Sequence, residues 1–262
     1  MLTKLITHAS MTRQITMGKL SGKTALITGG SKGIGRGIVL AFVKEGCDLL
    51  ISSRNQDDLD RMVAEAQEVA EHDLKIVTHA GDVGCSDSVD AMFEKFKANF
   101  DYMDLLVNNA GAFNGGPIDQ LSLSDWDHVI NTNLRGPFMC TKLAMQIMKP
   151  QNNGRIINVG SISATRVRPG SAPYSTSKFG IQGLTHVTAL EGREFNITCC
   201  GLHPGNIATE RRQASEAVED QEPMMSVHEL AEVALLMATL PQHVEILDAV
   251  VLPHQQLYVG RG

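Results

Sequence analysis

The sequence predicts an α/β protein built on one doubly wound parallel β-sheet of about seven strands, with helices on both faces. Short apolar runs alternate with helix-length amphipathic segments along most of the 262 residues, which is typical of parallel βαβ units. A glycine-rich turn follows the first apolar run. No linker rich in Pro, Ser or Gly interrupts the alternation between residues 23 and 252, so we expect a single domain.

Each predicted strand is a short run of apolar or β-branched residues bounded by polar or turn residues. The strands are predicted at 24–28, 47–52, 75–80, 103–107, 155–159, 197–202 and 249–252. The intervening segments have helical periodicity and are predicted as helices at 35–45, 57–72, 86–100, 124–133, 136–148, 173–191 and 226–239. The last helix opens with the capping box Ser226-Val227-His228-Glu229, which satisfies free backbone donors of the first turn.

The composition is that of an ordinary globular protein, and it argues against several functional classes. Hydrophobic residues make up 43% and charged residues 20% of the chain, and the net charge of −6 indicates no nucleic-acid partner. No apolar run approaches the roughly 18 residues that suggest a membrane-spanning helix. The five cysteines form no C-x-x-C pair and the nine histidines form no cluster. We therefore expect reduced thiols, a cytoplasmic location and no metal site.

The first 22 residues are predicted to be a flexible extension ahead of the folded domain, which then covers 23–262. The extension carries Lys4, Arg13 and Lys19 and no acidic residue. A transit peptide is the alternative interpretation, but the segment has one Arg, few Ser and no strong amphipathic pattern.

The glycine-rich turn lies between the first strand and the first helix, in the segment Thr28-Gly29-Gly30-Ser31-Lys32-Gly33-Ile34-Gly35. Its glycines allow a tight turn and a close approach of the backbone to a diphosphate, which the helix N-terminus attracts. Glycines of a plain turn are the alternative, and the strand before and helix after argue against it. The sequence therefore predicts a Rossmann-like nucleotide site with contacts from Gly29, Ser31, Lys32, Gly33, Ile34 and Gly35.

The end of the second strand indicates which nicotinamide cofactor binds. NAD-specific sites place an acid there for the ribose 2′-hydroxyl, but this chain has Ser53-Arg54-Asn55. A guanidinium suits a 2′-phosphate, and Lys32 adds a second cation. We therefore predict NADP(H), with NAD(H) less suited. The alternative is that Arg54 and Lys32 are solvated surface cations.

Tyr174 and Lys178 are four residues apart on a predicted helix and so share one face. A neighbouring ammonium favours tyrosinate, which predicts a lowered Tyr174 pKa and a phenol able to exchange a proton. Ser161 follows a predicted strand, where its hydroxyl would stabilise charge on a substrate carbonyl oxygen. The Y-x-x-x-K spacing also arises by chance in many helices, so the prediction depends on Ser161 and the upstream glycine turn.

Together the T-G-x-x-x-G-I-G turn, Ser161 and the Tyr174–Lys178 pair resemble the short-chain dehydrogenase/reductases, over about 20–210 of this chain. The resemblance implies an oxidoreductase that transfers a hydride between nicotinamide and a carbonyl or alcohol. It implies that Lys178 also holds the nicotinamide ribose, and that Asn133 holds a water in a proton relay. Further cofactor contacts implied in the same way are Asp82, Val83, Asn109, Ala110, Gly111, Tyr174, Lys178, Pro204, Gly205, Ile207 and Thr209.

Several of these positions have plainer interpretations. Asn109 is also suited to satisfying a turn, Asn133 to terminating a helix, and Asp82 to capping one. A non-catalytic NADP(H) sensor or scaffold is the alternative function. The retention of Asn133, Ser161, Tyr174 and Lys178 argues against it, because a sensor has no need of all four.

The substrate side is the least defined part of the prediction. The segment 206–225 is short and charged and is expected to act as a mobile lid over the substrate. Arg166 and Arg168 precede Tyr174 and would meet an acidic substrate or a phosphopantetheine carrier, unless they are solvated. A 3-oxoacyl thioester is the first substrate that the resemblance suggests. It also implies a homodimer or homotetramer through the helices near 124–148 and 173–191. The C-terminal segment lacks the family's usual glycine pair.

Overall fold

Seven strands form one sheet in the computed structural model, which describes residues 18–71, 73–214 and 222–258. The strands are β1 (Thr24–Thr28), β2 (Asp48–Ser53), β3 (Ile76–Ala80), β4 (Leu105–Asn108), β5 (Gly154–Val159), β6 (Ile197–Pro204) and β7 (Asp248–Val251). All neighbouring pairs are parallel, in the order β3-β2-β1-β4-β5-β6-β7. The strand order reverses between β1 and β4, so a crevice forms at their carboxyl ends.

Helices cover both faces of this sheet. They are α1 (Gly33–Lys44), α2 (Gln56–Val69), α3 (Ser86–Asn99), α4 (Leu123–Ile130), α5 (Gly136–Gln151), α6 (Ala172–Gly192), α7 (Glu210–Gln213) and α8 (Val227–Thr239). Alternate residues of β1 reach opposite sides, because side chains of a strand alternate. Ala25 and Ile27 pack in the core that contains residues of α1, α2 and α8. Leu26 packs in the core that contains residues of α3, α5 and α6.

The predicted α/β architecture is confirmed, and the predicted helix ends lie within three residues of the observed ones. Helices were expected at 124–133 and 136–148 with a break between them, but a π-helical turn, Asn131–Arg135, joins α4 to α5 without a break. The four-residue helix α7 was not predicted, and it lies inside the expected lid. His72, the predicted end of the second helix, lies outside the described residues.

The N-terminal boundary of the folded part lies earlier than predicted. Leu20 is 2% exposed and belongs to a hydrophobic core, and its N–H donates to the carbonyl of Glu45. The segment 18–22 is therefore part of the fold. The rest of the expected extension, 1–17, part of the expected lid, 215–221, and the last four residues, 259–262, lie outside the described residues. Among the helices that the structure describes, none has the length and apolar character needed to cross a membrane.

Candidate active site

A cavity of about 860 Å³ opens at the carboxyl ends of the strands, where the strand order reverses. Every residue predicted for catalysis or cofactor binding lines this cavity except Gly35 and Asn133. The sheet therefore brings together residues from the glycine turn, from the ends of β2 to β6 and from the start of α6.

The glycine turn between β1 and α1 forms a backbone cradle on one side of the cavity. Gly29 and Gly33 have φ values of +63° and +54°, which side-chain-bearing residues rarely adopt. A Cβ on Gly29 would lie 2.8 Å from the Cα of Ala110, and one on Gly35 would overlap the carbonyl oxygen of Gly29. Gly35 thus allows close packing behind the turn and does not face the cavity. The cradle and the N–H groups at the start of α1, which have no partner within the helix, fit a dinucleotide diphosphate.

Asn109 holds the cradle in place from the neighbouring strand β4. Its Nδ2 donates to the carbonyl oxygens of Thr28 and Gly29, each at 3.0 Å. The Thr28 hydroxyl accepts from the backbone N–H groups of Asn109 and Ala110 at 3.0 and 3.2 Å. Asn109 therefore satisfies carbonyl groups of a turn, in agreement with the plainer interpretation. That turn is the one that forms the cradle.

The residues predicted to select the cofactor lie at the end of β2. Arg54 is exposed and forms no ion pair with any residue that the structure describes. Lys32 differs from the prediction, because its ammonium pairs with Asp58 at 2.6 Å and lowers the pKa of that carboxyl. Asn55 caps α2 by accepting from the N–H of Asp58 at 3.0 Å. Ser53 donates to the carbonyl of Asn55. Arg54 is thus the cation available to a 2′-phosphate.

Asp82 and Val83 line the same end of the cavity, just after β3. The Asp82 carboxylate accepts from the N–H of Gly84 at 2.8 Å, within the turn that leads to α3. Asp82 does not cap that helix, because the N-cap residue of α3 is Cys85.

Ser161, Tyr174 and Lys178 meet on the opposite wall, where β5 ends and α6 begins. The Ser161 side chain interacts with the Tyr174 phenol and favours its ionised form, and the Ser161 Oγ accepts from the N–H of Ser163 at 3.0 Å. Lys178 is 5% exposed, and its Nζ donates to the carbonyl of Val159 at 2.8 Å. The same Nζ lies 5.6 Å from the centre of the Tyr174 ring.

Burial dominates the protonation of this trio, and this corrects the predicted pKa of the phenol. Desolvation raises the pKa of Tyr174, opposed by the Ser161 side chain and then by the charges of Arg211, Arg212 and Arg168. The Lys178 ammonium is not among the groups that lower the Tyr174 pKa, and burial lowers the pKa of Lys178 itself to about 8. Both groups are therefore shifted towards their neutral forms.

Asn133 lies inside the π-helical turn and braces the site from behind the cavity wall. Its Oδ1 accepts from the N–H of Ala112 at 2.7 Å, and its Nδ2 donates to the carbonyl of Ala112 and to Ser177 Oγ. Ser177 in turn donates to the Tyr174 carbonyl at 2.6 Å. Asn133 thus links the loop after β4 to the first turn of α6. The interpretation that it terminates a helix is wrong, because the helical path continues into α5.

Two residues on the substrate side of the cavity were not predicted for the site. The Phe113 ring stacks on the Tyr174 ring, with centroids 5.0 Å apart and an interplanar angle of 27°. The Arg211 guanidinium lies 4.4 Å from the centre of the Phe113 ring, on a helix within the expected lid. Arg168 also lines this part of the cavity. The mouth of the cavity above Tyr174 therefore carries positive charge.

His203 was also missed, since one buried histidine in a strand has no distinctive sequence signal. It is 3% exposed, with Nε2 2.9 Å from Asp248 Oδ1 and Nδ1 3.3 Å from the Ser161 carbonyl oxygen. His203 thus connects the backbone of Ser161 to β7.

The C-terminal segment borders the substrate side of the cavity. It does so without the glycine pair that is usual in the family. Gln256 accepts from the N–H of Asn206 at 2.8 Å. The Tyr258 ring lies 5.0 Å from the Arg166 guanidinium, and its hydroxyl is 2.6 Å from Thr165 Oγ1. Arg166 therefore stacks on the C-terminal segment and does not line the cavity, in contrast to Arg168.

The cavity has a glycine turn at one end and presents a phenol beside a buried amine at the other. Residues 23–220 match the family model of the short chain dehydrogenases. The chain belongs to this family, and it is an oxidoreductase that acts on carbonyl and alcohol groups.

Individual relatives agree with this assignment. The chain is 35% identical over 191 residues to the 3-oxoacyl-[acyl-carrier-protein] reductase FabG of Thermotoga maritima, covering 73% of this chain and 76% of that protein. It is 32% identical over 201 residues to the gluconate 5-dehydrogenase of Gluconobacter oxydans, covering 77% of each. A metagenomic short-chain oxidoreductase solved in complex with NADP superposes with a TM-score of 0.79 at 28% identity, covering 91% of this chain and all of that one.

Proposed function

We propose that this enzyme reduces a carbonyl group with NADPH and that Tyr174 is the proton donor. The observation that carries the proposal is the placement of Tyr174 and Ser161 together on the cavity wall, with Lys178 buried beside them. A bound nicotinamide would supply the hydride. Ser161 orients the substrate carbonyl and stabilises the developing oxyanion. Tyr174 donates its proton to that oxygen, and Lys178 would hold the nicotinamide ribose.

The preference for NADPH rests on Arg54. Its guanidinium lies at the cavity edge where an NAD-specific site would carry an acid. Gly29, Ser31, Gly33 and Ile34 would hold the diphosphate, with the remaining predicted contacts around the two riboses and bases.

Arg54→Ala tests this preference. Wild-type enzyme is expected to have a higher kcat/KM with NADPH than with NADH. Arg54→Ala is expected to lose roughly tenfold or more with NADPH, since a charge-assisted hydrogen bond is lost, and to change little with NADH. Arg193→Ala is the matched control, since this exposed arginine precedes β6 at the opposite edge of the sheet. Equal efficiency with both cofactors in the wild type would refute the preference.

For the substrate, we propose a 3-oxoacyl thioester whose acidic arm meets Arg168 and Arg211. The phosphate of a phosphopantetheine arm has the charge that this arginine-lined mouth complements. Oxidation of NADPH at 340 nm with acetoacetyl-coenzyme A, compared with neutral ethyl acetoacetate, tests the proposal. A higher kcat/KM for the charged thioester is expected. Cofactor binding without turnover of any carbonyl would favour the sensor interpretation.

We also propose a cytoplasmic homo-oligomer. All five cysteines are free, and four of them are buried, which suits a reducing compartment. Phe138 on α5 and Phe179, Val187 and Leu190 on α6 are 47–60% exposed, which suits a subunit interface through these helices. Light scattering after size exclusion would give the mass, and a monomer would contradict the proposal.

A further inference from the structure

The carboxylate of Glu210 binds the backbone where a cofactor phosphate is expected. Its Oε2 accepts from the N–H of Gly33 at 3.0 Å. Gly33 is the first residue of α1 and lies in the glycine turn. The N–H groups of a first helical turn have no partner within the helix and attract anions. Glu210 therefore satisfies one of the donors that a diphosphate would use.

This contact is supported by the packing around it. Glu210 and Gly33 are 177 residues apart in sequence, so the fold brings them together. The preceding residue, Thr209, lies against the same glycine, since a Cβ on Gly33 would be 3.2 Å from Thr209 Cγ2. The charge of Arg36, one turn into α1, also interacts with Glu210. The start of α7 thus packs against the glycine turn.

We propose that Glu210 is an internal competitor for the diphosphate subsite and sets the affinity of the enzyme for its cofactor. This inference rests on the proposed function. A carboxylate and a phosphate cannot share one N–H donor, and at such a distance their like charges repel. Binding of the dinucleotide therefore requires the Glu210 side chain to leave the Gly33 amide.

Displacement of Glu210 also acts on the substrate side, because the next residue is Arg211. The Arg211 guanidinium covers the Phe113 ring, which covers the Tyr174 ring. With Glu210 on Gly33, this stack lies over the proton donor. When Glu210 leaves, α7 is released from the glycine turn and Arg211 is free to move off Phe113. Cofactor binding thereby opens access to Tyr174.

Glu210→Gln and Glu210→Ala test the inference through binding measured by calorimetry. Both variants are expected to bind NADP⁺ about tenfold more tightly than wild type, since they remove the competing charge at the helix N-terminus. Adenosine 2′-monophosphate has no diphosphate and should bind all three proteins equally. Glu232→Gln is the matched control, because this exposed glutamate on α8 does not line the cavity. Circular dichroism verifies that each variant is folded.

Limited trypsin digestion gives a second measurement that needs no ligand. Arg211 and Arg212 are cleavage sites directly after Glu210. Without cofactor, Glu210→Ala should be cut there several-fold faster than Gln213→Ala, which alters the same short helix without touching Gly33.

The outcomes separate this inference from the proposed function. If the wild type binds neither NADP⁺ nor adenosine 2′-monophosphate, the proposed function fails and this inference fails with it. If both ligands bind but Glu210→Gln and Glu210→Ala leave the NADP⁺ affinity unchanged, only the competition is refuted. Equal tightening by Glu232→Gln would also refute it, because the effect would then come from net charge.

Discussion

Replacing Lys178 with Met should stabilise the folded protein while removing activity. Burial lowers the pKa of Lys178 from 10.5 to about 8, which corresponds to about 3 kcal/mol of unfavourable free energy at neutral pH. The Nζ makes a hydrogen bond to the buried Val159 carbonyl, and its loss costs about 1 kcal/mol. Methionine keeps most of the side-chain volume. We therefore expect the free energy of unfolding to rise by about 2 kcal/mol at pH 7.

The gain should depend on pH with a defined sign. Below pH 8, Lys178 is protonated in both the folded and the unfolded state, so the wild type carries the full penalty. Between the folded pKa of about 8 and the reference value of 10.5, the unfolded state binds more protons, and wild-type stability rises with pH relative to the variant. At pH 9.5 the gain from Lys178→Met should fall to about 0.5 kcal/mol.

Urea denaturation of both proteins at equal protomer concentration, at pH 7 and pH 9.5, measures this effect. Lys142→Met is the matched control, because Lys142 is exposed on α5 and should change stability by under about 0.5 kcal/mol at either pH. A Lys178→Met protein that is less stable than wild type at pH 7, or whose gain does not change with pH, would refute the reasoning.

Two further substitutions test the site and the core. Tyr174→Phe should lower kcat for carbonyl reduction by about 10²- to 10⁴-fold, because the proton donor is lost. Calorimetry should find the Kd for NADP⁺ within about threefold of wild type. A near-normal kcat would exclude the proposed role of Tyr174. Arg155→Met should lower the free energy of unfolding by at least about 2 kcal/mol. The reason is that the buried guanidinium donates to the carbonyls of Met237, Leu240, Pro241 and Val244. Denaturant unfolding measures this effect, with Arg193→Met at an exposed arginine as the control, and equal stability of the two variants would contradict the prediction.

Sequence patterns predicted the fold well because strands, helices and turns are set largely by residues that are neighbours along the chain. The apolar runs of the strands and the glycine turn are local features, and each appears where it was expected. The break between α4 and α5 was a wrong prediction, since the π-helical turn is set by packing against other elements. Asn133 within that turn bonds to Ala112 and Ser177, and neither contact has a local signal.

Contacts that charged side chains make with distant parts of the chain could not be predicted from the sequence, for a similar reason. Lys32 was identified as a cation near the cofactor, but its neutralisation by Asp58 depends on how α2 packs beside the turn. Arg155 is the first residue of the strand predicted at 155–159, and nothing in its neighbours indicates that it is 2% exposed and bonds to the end of α8. The contact of Glu210 with Gly33 spans most of the chain. In each case the partner is known only once the sheet order is known.

The raised pKa of Tyr174 bears on which half-reaction the site supports. Carbonyl reduction needs the protonated phenol, and alcohol oxidation needs the tyrosinate. Desolvation favours the phenol, which is the form that can donate a proton. Arg211 is one of the charges that oppose this effect. If Arg211 moves away when Glu210 is displaced, the phenol is favoured further, so the displacement that opens the site also keeps Tyr174 in its proton-donating form.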